Sequence, residues 1–335
     1  MPHRVVDIHI HYSPRALIGP NLAQLASPED KLTRYTDGIP TYTLHHQLHD
    51  LDRHLAMMDH AGLDVAVLSS AEGMTGDLSR CLVVNDELAR ETRRFPGRMV
   101  GMAHTGTLAG QAGLDELDRA WNDLGLRGLA VASTLGGQGL DNEALFPIYE
   151  KVQAAGSFIF VHPTLACGTL GPQGFGAYDL FRTVGREFEL VTAVLRLVCG
   201  GVLDRFPRLT IVMSHFGGGL SALVGRIRDY QDKAFWGLRS DPVHGKRPRH
   251  AFDHYLSRLY FDTGGHFGEM TAVRAALLNI PPENLLFGTD YPQEIRDQEQ
   301  VKQFIDNLRG LELPPRQIDA ILGGTAARIV GLARG

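Results

Sequence analysis

Two histidines near the start of the chain, His9 and His11, sit in the apolar stretch Val5-Val6-Asp7-Ile8-His9-Ile10-His11-Tyr12. If this stretch is a strand, side chains alternate faces with a period of two, so both imidazoles project the same way and can bind one metal ion. Val6, Ile8 and Ile10 then take the opposite face. One His-x-His among 15 histidines says little by itself. Its weight comes from polar residues that end later apolar runs: His162 after Phe158-Ile159-Phe160-Val161, His215 after Ile211-Val212-Met213-Ser214, and Asp290 after Leu286-Phe287-Gly288-Thr289. A lone histidine at a strand end is ordinarily just hydrogen-bonded, and Asp290 before Tyr291-Pro292 also fits a cap or a turn. Together the five are the residue types that bind divalent zinc, and a catalytic zinc keeps a position open for water or substrate. His9, His11, His162 and Asp290 are therefore read as ligands and His215 as the acid-base group. Asp7 points to the same face but deeper, where it can orient a histidine or serve structure alone.

The elements that must carry these residues repeat. Leu48, Leu51, Leu55 and Met58 recur at three- and four-residue steps, which predicts an amphipathic helix ended by Gly62, followed by the buried-strand run Val65-Ala66-Val67-Leu68-Ser69. Helices over 78–95, 111–124, 142–155 and 187–199 precede strands that begin near Met99, Leu126, Ser157 and Leu209; a further helix and a polar, basic loop (231–250) precede the strand from Leu259, and a helix over 269–279 precedes the one from Asn284. Eight apolar strands, nearly all separated by helices, predict a (β/α)8 barrel whose catalytic mouth lies at the C-terminal strand ends. An open nucleotide-binding sheet is disfavoured because no strand is followed by G-x-G-x-x-G or a P-loop. Residues 1–335 read as a single domain with insertion loops at about 13–43, 165–178 and 231–250, and a helical tail from Leu313 onward.

The 335 residues carry a net charge of -5 and no basic block, which gives no footprint for nucleic acid or an anionic membrane. Three widely spaced cysteines, Cys81, Cys167 and Cys199, fit neither a disulfide framework nor a zinc knuckle, so a cytoplasmic setting is expected. Neither a signal peptide nor a run of about 18 apolar residues is present in the sequence as read.

Six ordered motifs carry a family resemblance: Val6-Asp7-Ile8-His9-Ile10-His11, Glu143-Ala144-Leu145-Phe146-Pro147, Phe160-Val161-His162-Pro163, Gly200-Gly201-Val202-Leu203-Asp204-Arg205-Phe206-Pro207, Ser214-His215-Phe216-Gly217-Gly218 and Gly288-Thr289-Asp290-Tyr291-Pro292. They resemble the amidohydrolase superfamily, in the branch typified by aminocarboxymuconate-semialdehyde decarboxylase. The resemblance implies a (β/α)8 TIM barrel of the metal-dependent hydrolase type, one divalent metal (Zn2+ in most members, Mn2+ in some) and a homodimer. Matched residue by residue, it implies ligands at His9, His11, His162 and Asp290 and a catalytic histidine at His215. The reaction it implies is nonoxidative decarboxylation of a small aromatic or unsaturated carboxylic acid. The alternative is hydrolysis of a lactone, amide or carbon-carbon bond by water activated at the metal.

The sequence departs from the typical branch member at two substrate arginines. The one in the loop after the first strand falls on Tyr42, and the one supplied by a neighbouring subunit falls on Ala234, beside Lys233. Each charge-assisted pair contributes about 1.5–3 kcal/mol, so the typical dicarboxylate substrate is not expected. Some decarboxylases of the branch also have Glu where His9 stands. Tyr42, His104, Arg196 and His266 remain as candidate contacts to a small-molecule substrate, with an exposed loop tyrosine the other reading of Tyr42. The run Lys246-Arg247-Pro248-Arg249 reads as a solvated loop or a dimer contact. A barrel that had lost its chemistry and served only for binding would explain the fold but not the ligand set.

Overall fold

The computed structural model describes residues 4–165, 175–231 and 248–332. Strand β1 (Val6–His11) is buried along its whole length. It pairs in parallel with β4 (Val65–Ser69), and β4 pairs with β5 (Met99–Gly101). A second parallel sheet runs in the order β12 (Leu285–Leu286), β11 (Tyr260–Asp262), β10 (Thr210–Met213), β9 (Phe158–His162), β6 (Leu129–Ala132). Bridges from Met102 to Arg127 and from Ile10 to Tyr291 join the two sheets at both seams. The eight strands thus succeed one another in chain order around an α/β barrel, each buried between the interior and a coat of helices.

Local chemistry explains the helix limits. Asp50 accepts a hydrogen bond from the Arg53 amide and caps Leu51–Ala61, which ends at Gly62 with φ +72°. Asp77 caps Leu78–Thr92 in the same way. The expected helix from Leu48 starts one turn later because His46–His49 forms a 3-10 turn first.

The stretch 13–43 is not the loop expected from its polar composition. It holds the helix Arg15–Leu22 and an antiparallel hairpin of β2 (Leu32–Thr36) and β3 (Ile39–Leu44). Asp37 and Gly38, with φ +52° and +78°, form its two-residue turn, the backbone that a right-twisted hairpin requires. A second short hairpin joins β7 (Thr134–Leu135) to β8 (Gln138–Gly139). The last barrel strand is also shorter than expected. The Phe287 amide donates to the Ile321 carbonyl in the C-terminal tail, and the Phe287 carbonyl accepts from Ile8, so pairing with β11 stops at Leu286. Most of the expected loops at 165–178 and 231–250, together with Cys167, Lys233, Ala234, Lys246 and Arg247, lie outside the described residues.

Candidate metal centre

The C-terminal strand ends bring five polar side chains together. His9 and His11 stand on β1, His162 ends β9, and His215 and Asp290 follow β10 and β12. All five are at most 3 % exposed. His11 Nε2 lies 3.3 Å from His9 Nε2, 3.1 Å from His162 Nε2 and 2.8 Å from Asp290 Oδ1, and His9 Nε2 lies 3.5 Å from the same carboxylate oxygen. Ligand bonds of about 2.0–2.2 Å in a tetrahedron set neighbouring donors about 3.3–3.6 Å apart; two of these separations fall in that range and the two at 3.1 and 2.8 Å are tighter, a cluster that would open slightly around a single divalent ion. His9, His162, His215 and Asp290 also offer donors all within 4.8 Å of one another. His215 approaches from the other side, its Nε2 3.5 Å from Asp290 Oδ2. Asp290 Oδ1 and His215 Nε2 are buried without a hydrogen-bond partner, as donors aimed at a common point would be.

The far ring nitrogens of His9, His162 and His215 face protein acceptors, whereas His11 Nδ1 is buried without one. His162 Nδ1 faces the Pro163 carbonyl at 2.9 Å, which requires a proton there and leaves Nε2 as the lone-pair donor. His9 Nδ1 stands 2.9 Å from Asp262 Oδ2, and His215 Nδ1 stands 2.9 Å from Glu187 Oε1. Asp262 also accepts from the amides of His215 (3.0 Å) and Gly264 (2.8 Å), so one carboxylate fixes an imidazole and the turn that carries another. Asp262→Asn is expected to weaken metal affinity or activity about 10–100-fold, measured by titrating metal into stripped protein. Asp7 acts on backbone instead. It accepts from the His9 and Thr289 amides and from the Thr289 hydroxyl at 2.6 Å, tying β1 to the segment that presents Asp290, and burial lifts its pKa to about 7.

An unusual backbone delivers His215 and Glu187 to each other. From His215 through Gly219 every residue has φ between +52° and +74°, a left-handed turn that three glycines make tolerable. A Cβ on Gly218 would lie 2.0 Å from the Glu187 carbonyl, so glycine there lets the helix Arg186–Cys199 approach closely enough for Glu187 to reach the imidazole. A Cβ on Gly265 would collide with the His215 ring itself.

These contacts separate the charge states. Burial favours a neutral His215, but the Glu187 and Asp290 carboxylates outweigh it and hold the ring protonated well above the ordinary histidine range. Burial also opposes ionisation of Glu187, yet His215 pulls its pKa down to about 2. Burial and the neighbouring His11 and His9 keep His162 well below the ordinary range, as a lone-pair donor must be. Asp290 stays ionised because His9 and His11 overcome its burial.

The other residues expected at the substrate divide. Tyr42 is no exposed loop residue: it is 2 % exposed on β3, its ring 5.9 Å from the Arg34 guanidinium and its hydroxyl without an acceptor. His266 packs on Phe216 and lies 3.8 Å from Glu187, at the edge of the centre. Arg196 does not belong to the site, because its guanidinium pairs with Asp141 at 3.0 Å on the outside, 40 % exposed. His104 is a core histidine: Nε2 accepts from the Ser70 amide at 3.1 Å and the ring packs where a Cβ on Gly73 would sit.

Burial drops His104 to about 3 and His54 to about 4. Both bind a proton more readily unfolded, so their stability contribution is complete above about pH 6.5 and is lost as pH falls towards 4. Between pH 7 and 4.5, metal-free His104→Gln should lose about 3 kcal/mol less unfolding free energy than wild type in urea titrations.

Glu187 and Asp262, which contact His215 and His9, and Arg186 beside Glu187 are residues around the centre that sequence reasoning missed. Asp262 ends an apolar run like the chosen residues and was detectable on that ground, whereas Glu187 and Arg186 sit on a helix with no such signal. Over the ends of β4, β6 and β9 lies a cavity of about 720 Å3, walled by Ala71, Ala132, Thr164 and the buried Glu72 with Arg34 and Arg80 paired to it.

The sequence profile of the family described as Amidohydrolase matches residues 6–332. The chain is 26 % identical over 303 residues to the 2-amino-3-carboxymuconate-6-semialdehyde decarboxylase of Dictyostelium discoideum, covering 84 % of this chain and 77 % of that protein. It is 29 % identical over 271 residues to the gamma-resorcylate decarboxylase of Rhizobium radiobacter, covering 75 % and 80 %. Among solved structures, a dihydroxybenzoic acid decarboxylase from Polaromonas sp. JS666 with bound manganese and the inhibitor 2-nitroresorcinol superposes with a TM-score of 0.80, at 21 % identity and over 99 % and 98 % of the two chains.

Proposed function

This chain belongs to the amidohydrolase family, and we propose that within it the protein is a metal-dependent, nonoxidative decarboxylase of a small aromatic or unsaturated carboxylic acid. The observation that carries the acid role of His215 is its contact with Glu187 at 2.9 Å, and the relatives' chemistry favours decarboxylation over hydrolysis. A half-buried carboxylate on Nδ1 favours the charged imidazole, and a charged imidazole is an acid, suited to protonating carbon after carbon dioxide has left. A hydrolase would use the same acid on its leaving group, with water activated at the metal. The curated relatives at 26 % and 29 % identity are both decarboxylases.

In this reading His9, His11, His162 and Asp290 hold the ion, which we assign as zinc because three imidazoles and a carboxylate suit it. When bound, the ion supplies positive charge that fixes an oxygen of the acid and draws off electron density as the carbon-carbon bond breaks. His215 Nε2 delivers a proton to the carbon that loses the carboxyl group, and Glu187 keeps that proton available. Asp262 holds His9 in its binding orientation. Tyr42 and His266 contact the substrate at the edge of the centre, and burial of all five central side chains excludes bulk water. No described helix is long and apolar enough to cross a membrane, in keeping with a cytoplasmic enzyme, which we propose is a homodimer.

Turnover of hydroxybenzoic and unsaturated acids by zinc- and manganese-loaded protein, in deuterated water and separately in oxygen-18 water, tests this. Carbon dioxide release with deuterium placed on carbon is the expected result. Oxygen-18 in a newly formed carboxylic product would show hydrolysis instead.

A further inference from the structure

Beside the metal centre two buried donors, Arg186 Nε and the Tyr42 hydroxyl, make no well-formed hydrogen bond. Arg186, the first residue of the helix that brings Glu187 to His215, donates from Nη2 to the Thr41 carbonyl, while its Nε is buried without a partner. Tyr42, next to Thr41 on β3, is buried with its hydroxyl beside that of Ser13, and neither hydroxyl makes a well-formed hydrogen bond to a backbone or carboxylate acceptor. Asp290 lies close enough to act electrostatically on both Arg186 and Tyr42, so the two donors belong to one locality at the rim of the centre. Arg186 forms no ion pair with a carboxylate among the described residues, although Glu294 is near. Buried donors in folded proteins are almost always satisfied, and an arginine fork beside a hydroxyl donor matches the two oxygens of a carboxylate.

We infer that Arg186 Nε and the Tyr42 hydroxyl bind a carboxylate that stays on the substrate, which makes Arg186 a specificity-determining residue. The inference rests on the decarboxylase reading above. Gripping the departing carboxyl group would stabilise the ground state as much as the transition state, whereas gripping a group that remains uses binding energy for orientation. The arginine that the sequence comparison placed at position 42 is absent, and the structure brings another from position 186 to the neighbouring backbone.

The test is binding of 4-hydroxy-3-nitrobenzoate against 4-hydroxy-3-nitrobenzamide to metal-loaded protein, followed by the nitrophenol absorbance. The nitro group takes the place of the departing carboxyl and cannot leave, and the two probes, compared at a pH where both phenols are ionised, differ in the charge and the second acceptor oxygen of the retained group. Wild type should prefer the acid by about 10–100-fold, the worth of one or two charge-assisted hydrogen bonds. Arg186→Gln should bring the ratio within about threefold of one, Arg186→Lys should retain part of it, and Tyr42→Phe should lower it at least threefold. Equal binding of both probes by wild type, or equal weakening of both by Arg186→Gln, overturns the proposal and leaves Arg186 as a fastener of β3. Should Arg186→Gln fail to fold, an unchanged ratio in Tyr42→Phe and Arg186→Lys overturns it and a lowered ratio supports it. Carbon dioxide release from simple hydroxybenzoates, measured separately, reports on the decarboxylase reading itself.

Discussion

Replacing His215 by glutamine is expected to lower kcat by about 10²–10⁴ while the purified chain still holds one divalent ion, because a positioned acid or base contributes about that much. The geometry separates the two roles. His11 Nε2 gathers His9 Nε2, His162 Nε2 and Asp290 Oδ1 within 3.3 Å, whereas His215 approaches from the side of the second oxygen, at 3.5 Å, in a looser cluster. Glutamine keeps the volume and a donor but cannot carry a transferable proton. Single-turnover measurements should show the loss in the chemical step, with KM nearly unchanged. Metal analysis decides the assignment: if His215→Gln leaves the protein without metal, His215 is a ligand, and the proton donor must be sought elsewhere.

Asp290→Asn should instead empty the centre. It removes the only carboxylate among the four proposed ligands while keeping a residue that tolerates the left-handed backbone, φ +55° at this position. Asn loses the negative charge that sits 2.8 Å from His11 Nε2 and 3.5 Å from His9 Nε2. Metal affinity should fall by more than about 100-fold, beyond the 10–100-fold typical of residues that only orient a ligand. Activity should fall in parallel, recovering only partly with excess zinc or manganese. The stabilisation by metal seen in the wild-type Tm should shrink in the variant, since binding to the folded state alone is what raises it. Wild-type metal content in Asp290→Asn would remove this aspartate from the coordination set.

Much of this was legible in the linear chain because barrels write their sites at regular places. The alternation that puts His9 and His11 on one face of β1 is a property of any strand, and each later strand ends at the same rim, so His162 and His215 could be read from where the apolar runs stop. Asp290 was found by the same rule although its strand ends four residues earlier, at Leu286, where the C-terminal tail and β1 take over the hydrogen bonds of Phe287.

The residues that act on those ligands were not legible. Glu187 reaches His215 only because a left-handed run of glycines lets a helix come within contact of a loop 28 residues further on, and nothing in local periodicity encodes that approach. His104 obeyed the strand-end rule and still belongs to the core, since the Ser70 amide and the glycine-lined helix above it decide its surroundings. Tyr42 looked like a loop residue until the Asp37-Gly38 turn folded its segment into a hairpin over the mouth. Sequence alone determined which side chains share a strand face and a barrel end, because that follows from backbone geometry within one element. Only tertiary structure decided which of them are charged, held or hidden, because burial and partnership depend on atoms from distant parts of the chain meeting within about 3 Å.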